Sequence, residues 1–190
     1  GAEIISILTR GMYRDPRDAI REYIQNAVDA KSNRIEVKVR TESVIIQDFG
    51  VGMNYDVLRR AVRVGISDKN PTNNVGFMGI GIYSAFHLCN KLTIYTRKSD
   101  VLPLRVEMDF SGMRELLKEQ REKRIKNEIK DDELTDLQTL LETFISLSDK
   151  DSLTIEEYPV EQGTRIELTG LDPVLDDLLN NFKDLSQYLR

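Results

Sequence analysis

The order of strand-like and helical segments is the feature that most restricts the fold of this chain. Strands are predicted at residues 34–40, 43–49, 91–98, 104–110, 151–159 and 163–170. Helices are predicted at residues 16–31, 54–64, 80–90 and 172–189. Because the strands mostly come in adjacent pairs, they favour a mixed, mostly antiparallel sheet, and the amphipathic helices can cover one of its faces. We therefore expect an α+β two-layer sandwich.

Two further segments interrupt this alternation. Residues 65–79 are rich in glycine, asparagine, serine and proline, which predicts a long loop of the kind that forms lids or binding loops. Residues 111–147 are highly charged and carry apolar residues at helical spacing, which predicts two helices broken near Asp131 and Asp132. We expect residues 111–150 to form a helical insertion.

The composition excludes several classes of protein. Cys89 is the one cysteine and His87 the one histidine, so the chain can form neither an internal disulfide nor a zinc site. The net charge of −5 argues against duplex DNA or an anionic membrane as the main partner, and no apolar run approaches the ~20 residues of a membrane span. We expect one cytoplasmic domain over residues 1–190, with a buried, inert Cys89 thiol. Since the end of the sequence, KDLSQYLR, has no obvious stop signal, we expect the chain to be the N-terminal fragment of a longer protein.

Three polar residues share one face of the first predicted helix. Glu22, Asn26 and Asp29 are four and then three residues apart, so they stack on one side of the helix. An ordinary solvated helix face has the same pattern. However, an amide oxygen can coordinate Mg²⁺ and a carboxylate can deprotonate an attacking water, so these residues are also candidates for a magnesium-phosphate site.

The sequence QDFGVGMN at residues 47–54 allows two functional interpretations. Asp48-Phe49-Gly50 is the triplet that holds magnesium in protein kinases, but the 47 residues before it contain neither a histidine nor a glycine-rich loop, so this interpretation fails. Asp48, Gly50 and Gly52 also form D-x-G-x-G at the end of a strand. There the glycines let the backbone turn close against a ligand, and the carboxylate can accept a hydrogen bond from an exocyclic amine. A plain glycine turn is the alternative.

A third glycine cluster lies where the long loop becomes a helix. Gly76, Gly79 and Gly81 fall in VGFMGIGIYSAF, and exposed amides at a helix start favour an anion. Their spacing is neither the dinucleotide fingerprint nor a P-loop. Gly163 and Thr164 begin a late strand, which is a weak signal by itself because threonine is common in strands.

Taken in order, these segments resemble those of the GHKL ATPases. EYIQNAVDA, DFGVGM, GFMGIGIYSAF and GTRIEL are similar to the N-box, the two glycine boxes and the terminal threonine motif of that superfamily. It groups DNA gyrase, the ninety-kilodalton heat-shock chaperone, sensor histidine kinases and MutL. GIGIYSAF is most similar to the chaperone branch, whereas the short lid GISDKNPTNN is more like MORC or MutL proteins. The resemblance implies a Bergerat-type fold that binds ATP and Mg²⁺.

The resemblance also implies roles for individual residues. Asn26 would hold Mg²⁺ against the phosphates, Glu22 would be the general base for water, and Asp29 would line the phosphate side of the pocket. Asp48 would recognise the adenine amino group, assisted through water by Thr164. The other residues expected to contact the nucleotide are Ala30, Gly50, Gly52, Met53, Lys69, Gly76, Phe77, Met78, Gly79, Ile80 and Gly81. An ordinary exposed lysine is the alternative for Lys69.

Within the superfamily, Glu22 favours hydrolysis over phosphotransfer. Sensor histidine kinases lack this glutamate and need a phosphoacceptor histidine, whereas His87 lies in a predicted core helix. The resemblance implies an ATPase that is weak as an isolated domain and that couples ATP to homodimerisation and to downstream domains. Two alternatives are an ATP-sensing module without useful turnover and a protein-interaction arm at residues 111–150. Neither a membrane nor nucleic acid is indicated as a partner.

Overall fold

One antiparallel sheet organises the chain, of which the structure, a computed structural model, describes residues 15–63, 81–147 and 153–181. Within these residues the strands are β1 (Ile35–Arg40), β2 (Ser43–Asp48), β3 (Cys89–Arg97), β4 (Leu104–Asp109), β5 (Ile145–Leu147) and β6 (Gly163–Leu171). They lie in the order β1-β2-β6-β3-β4-β5, and each neighbouring pair is antiparallel. The predicted hairpin of the first two strands is confirmed.

The helices of the described residues lie between these strands along the chain. They are α1 (Asp18–Asp29), α2 (Tyr55–Ala61), a 3₁₀ helix (Ile82–Ala85), α3 (Phe110–Ile125), a 3₁₀ turn (Asp131–Glu133), α4 (Leu137–Phe144) and α5 (Pro173–Asn180). All five α-helices and the first 3₁₀ helix contribute buried side chains to a single hydrophobic core. The predicted two-layer α+β arrangement, with helices on one face of a sheet, is therefore confirmed.

Alternation along the strands explains why one face of the sheet is apolar. Ile46 of β2, Ile166 of β6 and Ile94 of β3 are register partners and are all buried. Successive residues of a strand point to opposite faces, so the residues between them lie on the other side. Among these, Gln47 and Arg165 are paired across β2 and β6. The helices pack on the apolar side.

The predicted first helix forms, but its start and one edge of its apolar face differ from the prediction. The sequence pattern Asp15-Pro16 predicts Asp15 as the cap and Pro16 as the first helical residue, whereas α1 begins at Asp18 and Arg17 is the N-cap residue. The Asp15 carboxylate accepts from the Arg17 amide at 2.9 Å and from its guanidinium at 2.7 Å, which fixes a turn before the helix. Val28 has the sequence spacing of the apolar residues of this helix, but it is 53% exposed.

The prediction of a helix over residues 80–90 is largely wrong. The 3₁₀ helix of this region ends at Ala85, and β3 already begins at Cys89, which pairs with Leu171 of β6. Because strand pairing across 82 positions of sequence decides the conformation, the local helical pattern is overridden. Cys89 is buried as expected, and burial raises the pKa of its thiol to about 12.

The charged segment after β4 contains the two predicted helices and one unpredicted strand. The helices α3 and α4 are separated by the 3₁₀ turn at Asp131–Glu133, as expected. The residues after α4 then form β5, which pairs with β4 through Met108↔Ile145 and Val106↔Leu147. The expected helical insertion therefore also supplies an edge strand of the main sheet.

The prediction of a strand at residues 151–159 is wrong for the described part, residues 153–159. A turn occupies residues 155–157, and the Glu157 carboxylate accepts from the Thr154 amide at 2.7 Å. Tyr158 follows this turn and is fully buried against the polar side of the sheet. In the part of the chain that the structure describes, no helix is both long and apolar enough to cross a membrane.

Candidate functional site

At one end of the sheet, a row of buried polar side chains takes the place of apolar ones on the face that the helices cover. Asp48 is the last residue of β2, and Thr164 and Thr96 are register partners on β6 and β3. Asp48 lies beside Thr164, because Gln47 is paired with Arg165 one position away. The three residues occupy positions where the alternation would place aliphatic side chains, and all three are buried. Buried polar groups at such positions are retained only when they are hydrogen-bonded, and they mark this end of the sheet as a candidate site.

The Asp48 carboxylate is held by backbone amides. Its Oδ1 accepts from the Gly50 amide at 2.8 Å and from the Thr164 amide at 3.2 Å. Burial raises the pKa of Asp48, and the two backbone hydrogen bonds oppose this shift. The aspartate predicted to read a base is therefore fixed in place, and both of these bonds end on one of its two oxygens.

Thr96 is a site residue that sequence reasoning missed. Its Oγ1 accepts from the Met53 amide at 2.9 Å, lies 3.0 Å from Thr164 Oγ1, and lies 3.2 Å from the Gly163 carbonyl to which it can donate. It thus joins the turn after β2 to the start of β6. The signal was the alternation of β3, in which Leu92 and Ile94 face the core and the next residue on that face is a threonine.

The turn after β2 packs against the end of α1 and against β3. A Cβ on Gly50 would lie 2.4 Å from the Ala30 carbonyl oxygen, so only glycine allows this approach. The Val51 amide donates to the same oxygen at 3.0 Å. Gly52 has φ +62°, and its Cβ would lie 1.9 Å from the Arg97 carbonyl oxygen. The structure thus brings Ala30, Gly50, Gly52 and, through Thr96, Met53 to the same end of the sheet.

The predicted polar face of α1 divides into two parts. Glu22 and Asn26 are half-buried, and Asp29 is exposed and accepts from Gln25 Nε2 at 3.0 Å. A Cβ on Gly81 would lie 2.6 Å from Glu22 Oε1, so the glutamate rests against the start of the 3₁₀ helix. The structure therefore brings Glu22 together with Gly81, whereas Asp29 faces solvent.

The remaining predicted contacts lie outside the described residues. They are Lys69, Gly76, Phe77, Met78, Gly79 and Ile80.

Comparison with known proteins identifies the family of the chain. The model of the family described as histidine kinase-, DNA gyrase B-, and HSP90-like ATPase matches residues 13–141, which is more than half of the chain. The chain belongs to this ATPase family. ATP binding and hydrolysis are the general activities of such domains, and the GHKL resemblance of the sequence is confirmed.

Individual relatives of this GHKL ATPase domain are much longer proteins. The chain is 27% identical over 128 residues to DNA mismatch repair protein MutL of Crocosphaera subtropica, which covers 62% of the chain and 23% of that protein. It is 27% identical over 131 residues to chaperone protein HtpG of Polaromonas naphthalenivorans, at 52% and 21% coverage. It is 26% identical over 125 residues to the mitochondrial heat shock protein 75 kDa of Rattus norvegicus, at 50% and 18% coverage. The chain thus spans about a fifth of the length of these relatives.

Proposed function

We propose that this domain binds ATP with Mg²⁺, hydrolyses it, and acts as a nucleotide-driven switch for the domains that follow it. The observation that carries the proposal is the buried Asp48 carboxylate at the end of β2, with α1 leading from it towards Glu22. The turn at Gly50 contacts Ala30, and eight positions of α1 separate Ala30 from Glu22. At 1.5 Å per residue this is about 12 Å, enough to separate the base of a nucleotide from its phosphates.

Adenine would be read by Asp48. An ionised carboxylate only accepts hydrogen bonds, and the exocyclic amino group of adenine donates one, whereas guanine presents an oxygen acceptor at the same position. The Gly50 and Thr164 amides already hold Oδ1 in place. Binding of the ligand would therefore cost little conformational entropy at the Asp48 side chain. The Thr164 hydroxyl lies in the same row and would assist through water.

Mg²⁺ and the phosphates would bind further back along α1, from Asn26 towards Glu22. The amide oxygen of Asn26 is a hard, neutral donor of the type that Mg²⁺ accepts alongside phosphate oxygens, so the residues present fit the ion. When bound, the ion would neutralise charge on the phosphates. Glu22 lies one turn earlier on α1, beside Gly81, where its carboxylate would take a proton from the attacking water. Phosphates would lie against the backbone near Gly81.

The switch would work through a second copy of the protein and through downstream domains. The chain spans about a fifth of its relatives, so most of a comparable protein would lie outside it. We propose that ATP binding favours a homodimer and that hydrolysis reverses it.

The cytoplasm is the proposed location of the protein. A buried, reduced Cys89 fits this reducing compartment.

Single-turnover hydrolysis by the full-length protein tests the proposal. Glu22→Ala is expected to retain ATP and to lose about 10²–10⁴-fold in rate, which is the usual contribution of a general base. Glu115→Ala is the matched control, because this glutamate is exposed on α3. Hydrolysis by Glu22→Ala at the unmodified rate would place the base elsewhere. Bound ATP with no turnover by the unmodified protein would instead favour an ATP-sensing module.

A further inference from the structure

Directly behind the candidate adenine site, the other face of the sheet carries a buried glutamine. Gln47 precedes Asp48 on β2 and points to the opposite face, where it is only 5% exposed. Its Nε2 lies 2.5 Å from the Asp48 carbonyl oxygen, 3.2 Å from the Thr164 carbonyl oxygen and 2.9 Å from the Tyr158 hydroxyl. One side-chain amide therefore bridges the backbone of the two strands that carry the site.

The opposite end of the same amide is also held. Gln47 Oε1 accepts from Arg165 Nε at 3.2 Å, and Arg165 Nη1 donates to Glu167 Oε1 at 3.3 Å. The guanidinium lies 5.5 Å from the ring centroid of Tyr95 and 5.2 Å from that of Tyr158. Because these contacts orient the oxygen towards Arg165, the nitrogen must face the two carbonyls.

Only an amide satisfies this arrangement. The group must donate towards two carbonyl oxygens and accept from a guanidinium, and a glutamine side chain does both. A glutamate of the same shape could accept from Arg165 but could not donate, so it would leave the Asp48 and Thr164 carbonyls facing a carboxylate. Tyr158 is fully buried, and burial raises its pKa to about 12, so its hydroxyl stays protonated.

We infer that Gln47, supported by Tyr158, is a positioning residue that holds the ends of β2 and β6 in the alignment in which Asp48 meets the adenine amino group. This inference rests on the proposed role of Asp48. The segment before β6 would contribute to the same alignment, because the buried Tyr158, which follows the turn at residues 155–157, packs on the face of the sheet opposite Asp48. The selectivity for adenine would then depend on residues that never touch the nucleotide.

Nucleotide titrations of Gln47→Glu test the inference. The affinity for ATP with Mg²⁺ is expected to fall about tenfold, the scale of one misaligned hydrogen bond to a charged group. The ratio of ATP to GTP affinity should fall by the same factor, and binding of inorganic tripolyphosphate should not change. A general loss of structure would weaken all three ligands together. Glu167→Gln is the matched control, because it contacts the same arginine and neither carbonyl.

The possible results separate the inference from the proposed function. If Gln47→Glu keeps the ATP to GTP ratio of the unmodified protein while Asp48→Asn loses it, the inference is overturned and the role of Asp48 stands. If the unmodified protein binds ATP and GTP equally, both are overturned. If Gln47→Glu shows no cooperative thermal transition, the ratio of ATP to GTP affinity is measured in Tyr158→Phe instead. This variant keeps the ring beside Arg165, so a reduced ratio supports the inference and an unchanged ratio overturns it.

Discussion

Replacing Asp48 with asparagine should weaken nucleotide binding without destabilising the fold. The asparagine oxygen can still accept from the Gly50 and Thr164 amides, which now bind Oδ1 at 2.8 and 3.2 Å. The second carboxylate oxygen becomes an NH₂ group, which would meet the amino group of adenine donor to donor. A hydrogen bond to a charged group contributes about 1.5–3 kcal/mol, so the Kd for ATP should rise roughly 10–150-fold.

The stability of the same variant should not fall. Burial raises the pKa of Asp48 above its ordinary value of 3.8, so the folded state disfavours the ionised carboxylate. At neutral pH, burial of the ionised carboxylate lowers the free energy of unfolding. This penalty disappears as the pH falls through the raised pKa towards 3.8. Asparagine carries no charge to bury, so the melting temperature of Asp48→Asn at pH 7 should equal or exceed that of the unmodified domain.

Calorimetric titration with ATP and thermal unfolding provide the two readouts. Asp132→Asn is the matched control, because Asp132 is exposed in the 3₁₀ turn between α3 and α4 and should change neither. Unchanged ATP affinity in Asp48→Asn would refute the reasoning. A large fall in melting temperature would also refute it, since the loss of affinity would then follow from a damaged fold.

Four further predictions concern the same site and its surroundings. Gly81→Ala should slow hydrolysis more than it weakens ATP binding, because the new Cβ would lie 2.6 Å from Glu22 Oε1; single-turnover and titration data separate the two effects. ATP affinity should fall on acidification at a higher pH than an exposed aspartate would require, since the pKa of Asp48 is raised; titrations over a pH series check this. A non-hydrolysable ATP analogue with Mg²⁺ should raise the dimer fraction of the full-length protein in light scattering. The Cys89 thiol, whose pKa burial raises to about 12, should react with a thiol reagent far more slowly in the folded protein than in denaturant.

Much of the site could be predicted because its elements are local. The α1 pattern, the β1–β2 hairpin and the glycines after Asp48 depend on spacing and turn chemistry within a few residues. Asp48 ends its strand, and Gly163 and Thr164 begin β6, as expected. Their proximity could not be derived from either motif alone, and it followed only from the resemblance to a known superfamily.

Two of the errors concern features that distant parts of the chain decide. Cys89 belongs to a strand because it pairs with Leu171, and β5 exists because β4 offers an open edge. Thr96 and Gln47 look ordinary in the sequence. Their roles appear only when β2, β6 and β3 lie side by side, because each hydrogen-bonds to residues that are far away in sequence.

The relative affinity of the unmodified domain for ATP and GTP tests the central claim most directly. Asp48 should accept from the adenine amino group and should repel the guanine oxygen at the same position. Calorimetry with Mg²⁺ is therefore expected to show ATP binding with GTP weaker by roughly tenfold or more. Equal affinity for the two nucleotides would contradict the assignment of the buried Asp48 row as the base-reading site.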